Sequence, residues 1–444
     1  MDKRFYSLDI FRGATVALMI LVNNPGSWSH MYAPFKHAPW HGCTPTDLVF
    51  PFFLFAVGNA MAFVMPRLEA AGTGAFLRKV ITRTLLIFGI GLLLHWSPFV
   101  RWSDGELVFK HWVDPENPNS GIRIFGVLQR IAVSYFFASL IIYFFKIRGA
   151  LLASFILLMG YWMLCLLLGT PGDPYSLEGY FGTQVDKDVL GVAHMYKGEG
   201  VPFDPEGIAS TITSIVQVIF GYFVGFYIQQ KGKSYEMLSN LFVAGCILIF
   251  TGFAWDLVFP INKKIWTSSY VMYTTGLAIM VLGLLIYLVE LKKHHQRAGW
   301  RISGNRLLPK LPLLVIVAVI FFTNDAEKRP SVLLAVLVTW FFLMVLTKNK
   351  LYRFFDVFGK NALFIFFLSG LLPRLLGLFR WVDHVDPATG KKSYTTAFAW
   401  FNHEYCQPLS DNLKNGSLLY ALSMIIFYWM IVYILDRKKI YIKV

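Results

Sequence analysis

The stretch Asn23 to Phe55, NNPGSWSHMYAPFKHAPWHGCTPTDLVFPFFLF, is a polar, aromatic and histidine-bearing bend set between two apolar runs. Each flanking run reads as a helix across a bilayer, and the bend between them belongs outside the hydrocarbon, where polar backbone meets water or protein. Asn-Asn-Pro-Gly opens it, since proline fixes its own backbone angle and glycine accepts conformations that other residues resist. Asp47 closes it at the mouth of the second run, and three of the ten histidines, His30, His37 and His41, fall inside.

The whole chain has the composition that this reading needs. Of 444 residues, 56% are hydrophobic, 17% aromatic and only 15% charged, and the mean hydropathy is +0.53. A polytopic membrane protein is expected rather than two or three soluble domains. The first residues, MDKRFYSLDIFRG, place positive charge before an apolar run as a signal peptide does. No small-x-small cleavage site follows before the bend, so a retained first span is expected.

Reading in windows of about 20 apolar residues gives about twelve expected helices. They cover 8–24, 47–66, 78–96, 125–145, 149–169, 207–229, 237–259, 266–290, 310–323, 331–347, 355–379 and 416–435. The ninth has the shortest apolar stretch, and dropping the ninth and tenth together leaves the topology unchanged. The expected fold is therefore all-α, a transmembrane helical bundle of about 10 to 12 spans forming one integral membrane domain over 1–444. Long extracytoplasmic loops are expected near 97–124, 170–206 and 380–415. They hold Pro, Gly, Trp and Tyr rather than low-complexity sequence, as loops that fold over a site do.

A net charge of +15 would point a soluble protein toward nucleic acid. Here the basic residues sit in short loops beside apolar runs, where the positive-inside rule accounts for them, and no nucleic-acid partner is expected. Lys3 and Arg4, Arg67 and Lys79, Lys146 and Arg148, Lys231 and Lys233, and Arg437 to Lys439 all fall on one side. Most acids fall on the other, among them Asp114, Glu116, Asp173 through Glu206, Asp383 and Glu404. The alternation predicts both termini inside and the opening bend outside the cytoplasm. Four scattered cysteines are too few for a disulfide scaffold.

Ionisable groups at or within spans are costly in lipid and need a partner, a cavity or a role. Arg12, Asp47, Arg83, Gln129, Arg130, Asp256 and Arg374 stand at such positions. Arg130 lies a few residues inside the expected outer boundary, and Asp47 or Asp256 is its expected partner. A register-fixing ion pair and direct substrate contact are both open for it. His37 is the leading reactive group, because imidazole titrates near neutrality and can take a proton or carry an acyl group. Asp47 would orient that imidazole if the bend folds back, and Asn23 would offer an amide to a developing oxyanion. His37 and His41 also have the i, i+4 spacing of zinc ligands, but Pro39 breaks the helix that such spacing requires, and no metal is expected. Phosphate-binding glycine fingerprints are absent.

At this point several blocks stand together: SLDIFRG at 7–13, LVNNPG at 21–26, FKHAPWHGCTPTDLVFPFFLF at 35–55, GVLQRIAVSY at 126–135, DPEGIASTITSI at 204–215, INKKIWTSSYV at 261–271 and FGKNALFIF at 358–366. In this order they resemble the lysosomal heparan-alpha-glucosaminide N-acetyltransferase family and its bacterial relatives. The resemblance implies a multi-pass enzyme of the inner cell membrane that draws acetyl-CoA from the cytosol and delivers the acetyl group to a glucosamine amine on the far side. It implies a homodimer as well. The histidine of the family's K-H-A-x-W-x-G block falls at His37 and the asparagine after the first span at Asn23, both expected to be catalytic. Asp47, Gln129, Arg130, Asp256 and Glu206 are expected to support the site or bind substrate, and Arg12 and Arg83 to hold the phosphates of CoA. An N-acetylglucosamine permease and an O-acyltransferase for a surface polysaccharide remain the alternatives.

Overall fold

A computed structural model describes residues 5–103, 105–292, 329–347, 351–387, 390 and 392–442. The chain divides into two compact units, the first Met1–Phe11 with His37–Lys293, the second Arg12–Lys36 with His294–Lys443. Helix α1, Tyr6–Asn23, starts in the first and finishes in the second.

In the first unit a 3-10 turn, Pro45–Leu48, leads into α2, Val49–Ala70, and α3 follows over Thr73–Trp96. Strands β1, Val100–Ser103, and β2, Glu106–Phe109, form an antiparallel hairpin. Then come α4, Val127–Leu168; α5, Gly182–Leu190; α6, Ile208–Lys231; α7, Tyr235–Asp256; and α8, Ser268–Ile286. The main packings are α2 on α6, α7 on α8, and α4 on both α3 and α6. Small residues let these backbones approach, as they do where lipid tails leave no hydrophobic drive between helices. A Cβ on Gly58 would lie 1.9 Å from the Val218 carbonyl oxygen, and one on Gly221 2.2 Å from that of Phe55. Phe11, Phe52, Phe55, Ile228, Leu241 and Ile279 fill the core beside that seam. Gly58→Ala is expected to cost about 2 kcal/mol or more, because the backbone carbonyl opposite cannot move aside. A lowered Tm of the purified protein in detergent checks this.

Buried polar groups in the first unit are tied to one another. Ser134 Oγ and Ser214 Oγ lie 2.6 Å apart, Gln217 Nε2 donates to Thr275 Oγ1 at 2.9 Å, and Thr213 Oγ1 donates to the Trp266 carbonyl at 2.5 Å. These bonds bind α4, α6 and α8 into one scaffold below the α7–α8 loop.

The second unit holds α9, Arg329–Thr347; α10, Leu351–Lys360; α11, Ala362–Leu376; an antiparallel hairpin of β3, Arg380–Val385, and β4, Lys392–Thr396; and α12, Leu413–Arg437. The α10–α11 pair bends by 79° at Asn361. That side chain spans the break, its Nδ2 donating to the Ile440 carbonyl at 3.2 Å and its Oδ1 accepting from Ile442 N at 2.8 Å. Lys360 Nζ joins Asp356 at 2.6 Å and Asp436 at 3.1 Å, and Trp429 stacks on Phe354 at 5.5 Å.

The described residues are mostly helical, with seven helices long and apolar enough to cross a membrane, or eight if the bent α10–α11 pair is one span. This is a multi-pass membrane architecture, though the count is below the expected 10 to 12. The expected segments 125–145 and 149–169 fall on the single 42-residue α4, broken at Lys146, where φ is 56°. The segments 78–96 and 331–347 fall on α3 and α9, neither of which is among the seven, and 310–323 lies outside the described residues. The helical class holds, with two of the expected outer loops adding short β-hairpins. Both are two-stranded ribbons with no fully buried side chain, a signal too short for periodicity to find.

Candidate active site

The bend folds back on itself through Asp47. In the run Thr44-Pro45-Thr46-Asp47, proline presets the first turn, and Asp47 reaches back to the residue that caps it. Its Oδ2 accepts from Thr44 N, Thr44 Oγ1 and Ala38 N, each at 3.0 Å. Its Oδ1 accepts from His37 Nδ1 at 2.6 Å. Asp47 is 1% exposed and the His37 side chain 42%, so a buried carboxylate holds an imidazole that still meets solvent. A carboxylate can only accept, which assigns a proton to Nδ1, so that in the neutral ring Nε2 is the nitrogen with the lone pair.

The α7–α8 loop, residues 257–267, closes on the bend across more than two hundred residues of sequence. Asp256 Oδ1 shapes it by accepting from Ile261 N at 2.6 Å. Gly42, at a φ of +102° that favours glycine, donates its N–H to the Ile261 carbonyl at 2.7 Å. Lys264 Nζ donates to the Pro39 carbonyl at 2.8 Å and to Glu199 at 2.6 Å, and Tyr270 OH donates to the Asp47 carbonyl at 2.5 Å. Lys263 Nζ lies 3.2 Å from His37 Nδ1, 3.4 Å from His37 Nε2 and 3.7 Å from Asp47 Oδ1. Burial pulls the Lys263 ammonium below the usual lysine range, against the opposing pull of Asp47 and Glu206. His41 faces another way, its Nδ1 3.4 Å from Asn262 Nδ2, and burial lowers its pKa.

Beside this lies a cationic and acidic cluster. Arg123 donates through Nε and Nη2 to Asp204 at 3.0 and 2.5 Å, and through Nη2 to Glu206 at 2.5 Å. Its guanidinium also sits 4.8 Å from the Tyr196 ring centroid. Burial would raise the Glu206 pKa, but Arg123 and Arg130 outweigh it and hold the carboxyl below its usual range. The pairing therefore stabilises the fold fully at neutral pH, and that stability is lost as pH falls through the folded-state value. Arg123→Gln, which leaves both buried carboxylates short of a cation, is expected to destabilise the protein by about 3 kcal/mol. Thermal unfolding at pH 7 reads the loss, and it should shrink on acidification as the carboxylates protonate.

Arg130 is fully buried but pairs with neither Asp47 nor Asp256, a correction to the expectation from the sequence. Its Nη2 donates to the Gly207 carbonyl at 3.2 Å and to Ser210 Oγ, and its guanidinium lies 5.0 Å from the Trp266 ring centroid. A carbonyl at the start of α6 and an indole face take the place of a direct counter-ion, while Asp47 is filled by His37 and Asp256 by the loop it caps. Nε and Nη1 of Arg130 have no hydrogen-bond partner.

The remaining candidates are dispersed. Gln129 is buried on α4, its amide without a partner and so close to Gly91 that a Cβ there would meet Oε1 at 2.6 Å. Arg83 on α3 stacks on Tyr135 of α4 at 4.9 Å. Asn23 ends α1 exposed and Arg12 is half-buried on the same helix, both in the second unit. Lys263 and Arg123 stand at the site without having been among the sequence candidates. Two adjacent lysines in an expected outer loop are the signal for the first, since the positive-inside rule does not account for them.

No protein-family model matches the chain. It is 29% identical to the heparan-alpha-glucosaminide N-acetyltransferase of Homo sapiens over 345 residues, 66% of this chain and 50% of that protein. It is 27% identical to the enzyme of the same name from Mus musculus over 343 residues, 65% of this chain and 50% of the relative. The chain thus spans about half the length of the curated relatives it matches. This similarity, at 27–29% identity over about two thirds of this chain, supports membership of the heparan-alpha-glucosaminide N-acetyltransferase family.

Proposed function

We propose that the protein is a transmembrane N-acetyltransferase that passes the acetyl group of cytosolic acetyl-CoA to the amine of a glucosamine-type sugar on the extracytoplasmic side. The observation that carries this reading is the 2.6 Å contact of His37 Nδ1 with buried Asp47, which leaves Nε2 of a partly exposed imidazole as the nitrogen available as a base. The names of the two relatives supply the reaction class.

In direct transfer, His37 Nε2 takes the proton from the acceptor amine as its nitrogen attacks the thioester carbonyl. The tetrahedral intermediate then collapses, the C–S bond breaks, and the CoA thiolate takes a proton from the imidazolium. In a two-step route, Nε2 itself attacks the carbonyl, the C–S bond breaks and CoA leaves as thiolate, and the amine then displaces the imidazole from the acetyl group, its proton balancing the thiolate's charge. Asn23 retains the role that the family resemblance implies, an amide donor to the oxyanion. Arg130, with two unclaimed donors beside Trp266, and Gln129 are assigned to substrate. Asp47 orients the base, Asp256 shapes the loop over it, and Glu206 balances Arg123 and Lys263. Arg12 and Arg83 are assigned to the CoA phosphates.

The topology proposed with this function is one integral membrane acyltransferase of the inner cell membrane, with 10 to 12 spans, both termini inside and a homodimeric assembly. At 1.5 Å per residue, the 42 residues of α4 would run to about 63 Å, twice a hydrocarbon core, which supports counting its two limbs as two spans.

Purified protein in detergent, given acetyl-CoA and glucosamine, should release free CoA thiol. No release with any amino sugar, together with uptake of N-acetylglucosamine into liposomes, would overturn the enzyme reading in favour of a permease. Labelled acetyl retained on the protein without acceptor, and absent from His37→Ala, selects the two-step route.

A further inference from the structure

We propose that Lys263 is a positioning residue for acyl transfer: its ammonium keeps the His37 imidazole neutral and leaves Nε2 as the lone pair offered to substrate. This rests on His37 acting as proposed above, and it adds a residue that neither the family motif nor the relatives' names assign.

The geometry carries it. Lys263 Nζ is 3.2 Å from one ring nitrogen of His37 and 3.4 Å from the other. The Nδ1–H bond and the Nε2 lone pair point away from each other on either side of Cε1, so an ammonium nearly equidistant from both nitrogens is in line with neither. The ammonium therefore acts on the ring as a charge more than as a hydrogen-bond donor, and it does not occupy the direction along which Nε2 would meet an acceptor. At the same time it lies 3.7 Å from Asp47 Oδ1, so lysine, imidazole and carboxylate form one cluster.

That third charge answers a difficulty in the two-residue site. Asp47 sets a negative charge 2.6 Å from the ring, and a base that is already protonated cannot take a proton. A cation beside the ring opposes that charge. The neighbouring charges are otherwise committed: Lys264 is paired with Glu199 at 2.6 Å, Glu206 with Arg123 at 2.5 Å, and the Cys43 thiol, pushed up to about 12 by burial, stays uncharged. Lys263 is thus the positive group set against His37 among the described residues of the cluster. A consequence for the acceptor follows, because the same ammonium repels an incoming ammonium and admits the free amine.

The test compares Lys263→Met with Lys263→Arg in the purified full-length protein, with two readouts. One is the pH profile of kcat/KM for glucosamine. The other is the pH dependence of His37 carbethoxylation by diethylpyrocarbonate, read by peptide mass spectrometry, which needs no activity. Removing a positive charge raises the imidazole pKa, so in Lys263→Met both the acidic limb and the modification midpoint should move up by about one pH unit, with roughly tenfold lower activity below the new midpoint. Lys263→Arg keeps the charge and should hold both near the parent values. If Lys263→Met elutes as aggregate, Lys263→Gln, which retains a donor beside Asp47, makes the same comparison. An unmoved midpoint in the neutral variants overturns the proposal, and so does an equal shift in Lys263→Arg. Full activity in His37→Ala would instead remove His37 as the base, while the modification midpoint still reports whether Lys263 sets its charge.

Discussion

His37→Ala is expected to lower CoA release by about a thousandfold or more while leaving the fold intact. The size follows from losing the group that accepts the amine proton or carries the acetyl, a step for which a placed imidazole supplies about 10² to 10⁴ in rate. The fold should survive because the His37 side chain is 42% exposed and its loss opens no core cavity. Asp47 also keeps three donors, Ala38 N, Thr44 N and Thr44 Oγ1. A Tm within a degree or two of the parent, measured beside the rate, separates lost chemistry from lost structure. His41→Ala is the control: His41 faces Asn262, and the rate should stay within a few fold.

Asp47→Asn should be nearly as severe, by about a hundredfold or more in kcat, and for a reason that depends on tautomers. With the amide oxygen in the place of Oδ2, it still accepts from Ala38 N and Thr44. The NH2 then takes the place of Oδ1 and offers a hydrogen to His37 Nδ1, which must become an acceptor. The ring proton moves to Nε2, and the lone pair needed for catalysis is gone. Lys263 also loses its nearest carboxylate. Steady-state kinetics should show the loss in kcat more than in KM, because the acceptor need not touch Asp47.

Much of this site was legible in one stretch of sequence. Thr-Pro-Thr-Asp at the mouth of an apolar run reads as a capped helix start, and that local motif turns Asp47 back toward the bend, where His37 waits ten residues earlier. What the bend does not encode is its other wall. Lys263 arrives from a loop 226 residues away, and only the packing of α8 against α2 and α6 brings it there. Arg130 shows the same limit from the other side. A buried guanidinium announces that it needs partners, but the sequence cannot say that they are a carbonyl at the α6 start and the face of Trp266. Arg123 passed unremarked although it borders an acid-rich loop, because an arginine just outside a span is ordinary until Asp204 and Glu206 are found on it. The helices were legible as apolar windows, whereas the break of α4 at Lys146 and the two hairpins rest on turn geometry that composition does not show.

The most direct test of the central claim is a structure of the full chain with CoA bound. The CoA sulfur is expected within reach of His37 Nε2, about 3 to 4 Å once an acetyl group is allowed for, on the side of the ring away from Asp47. A sulfur held far from His37, with no path for the thioester to that nitrogen, would contradict it.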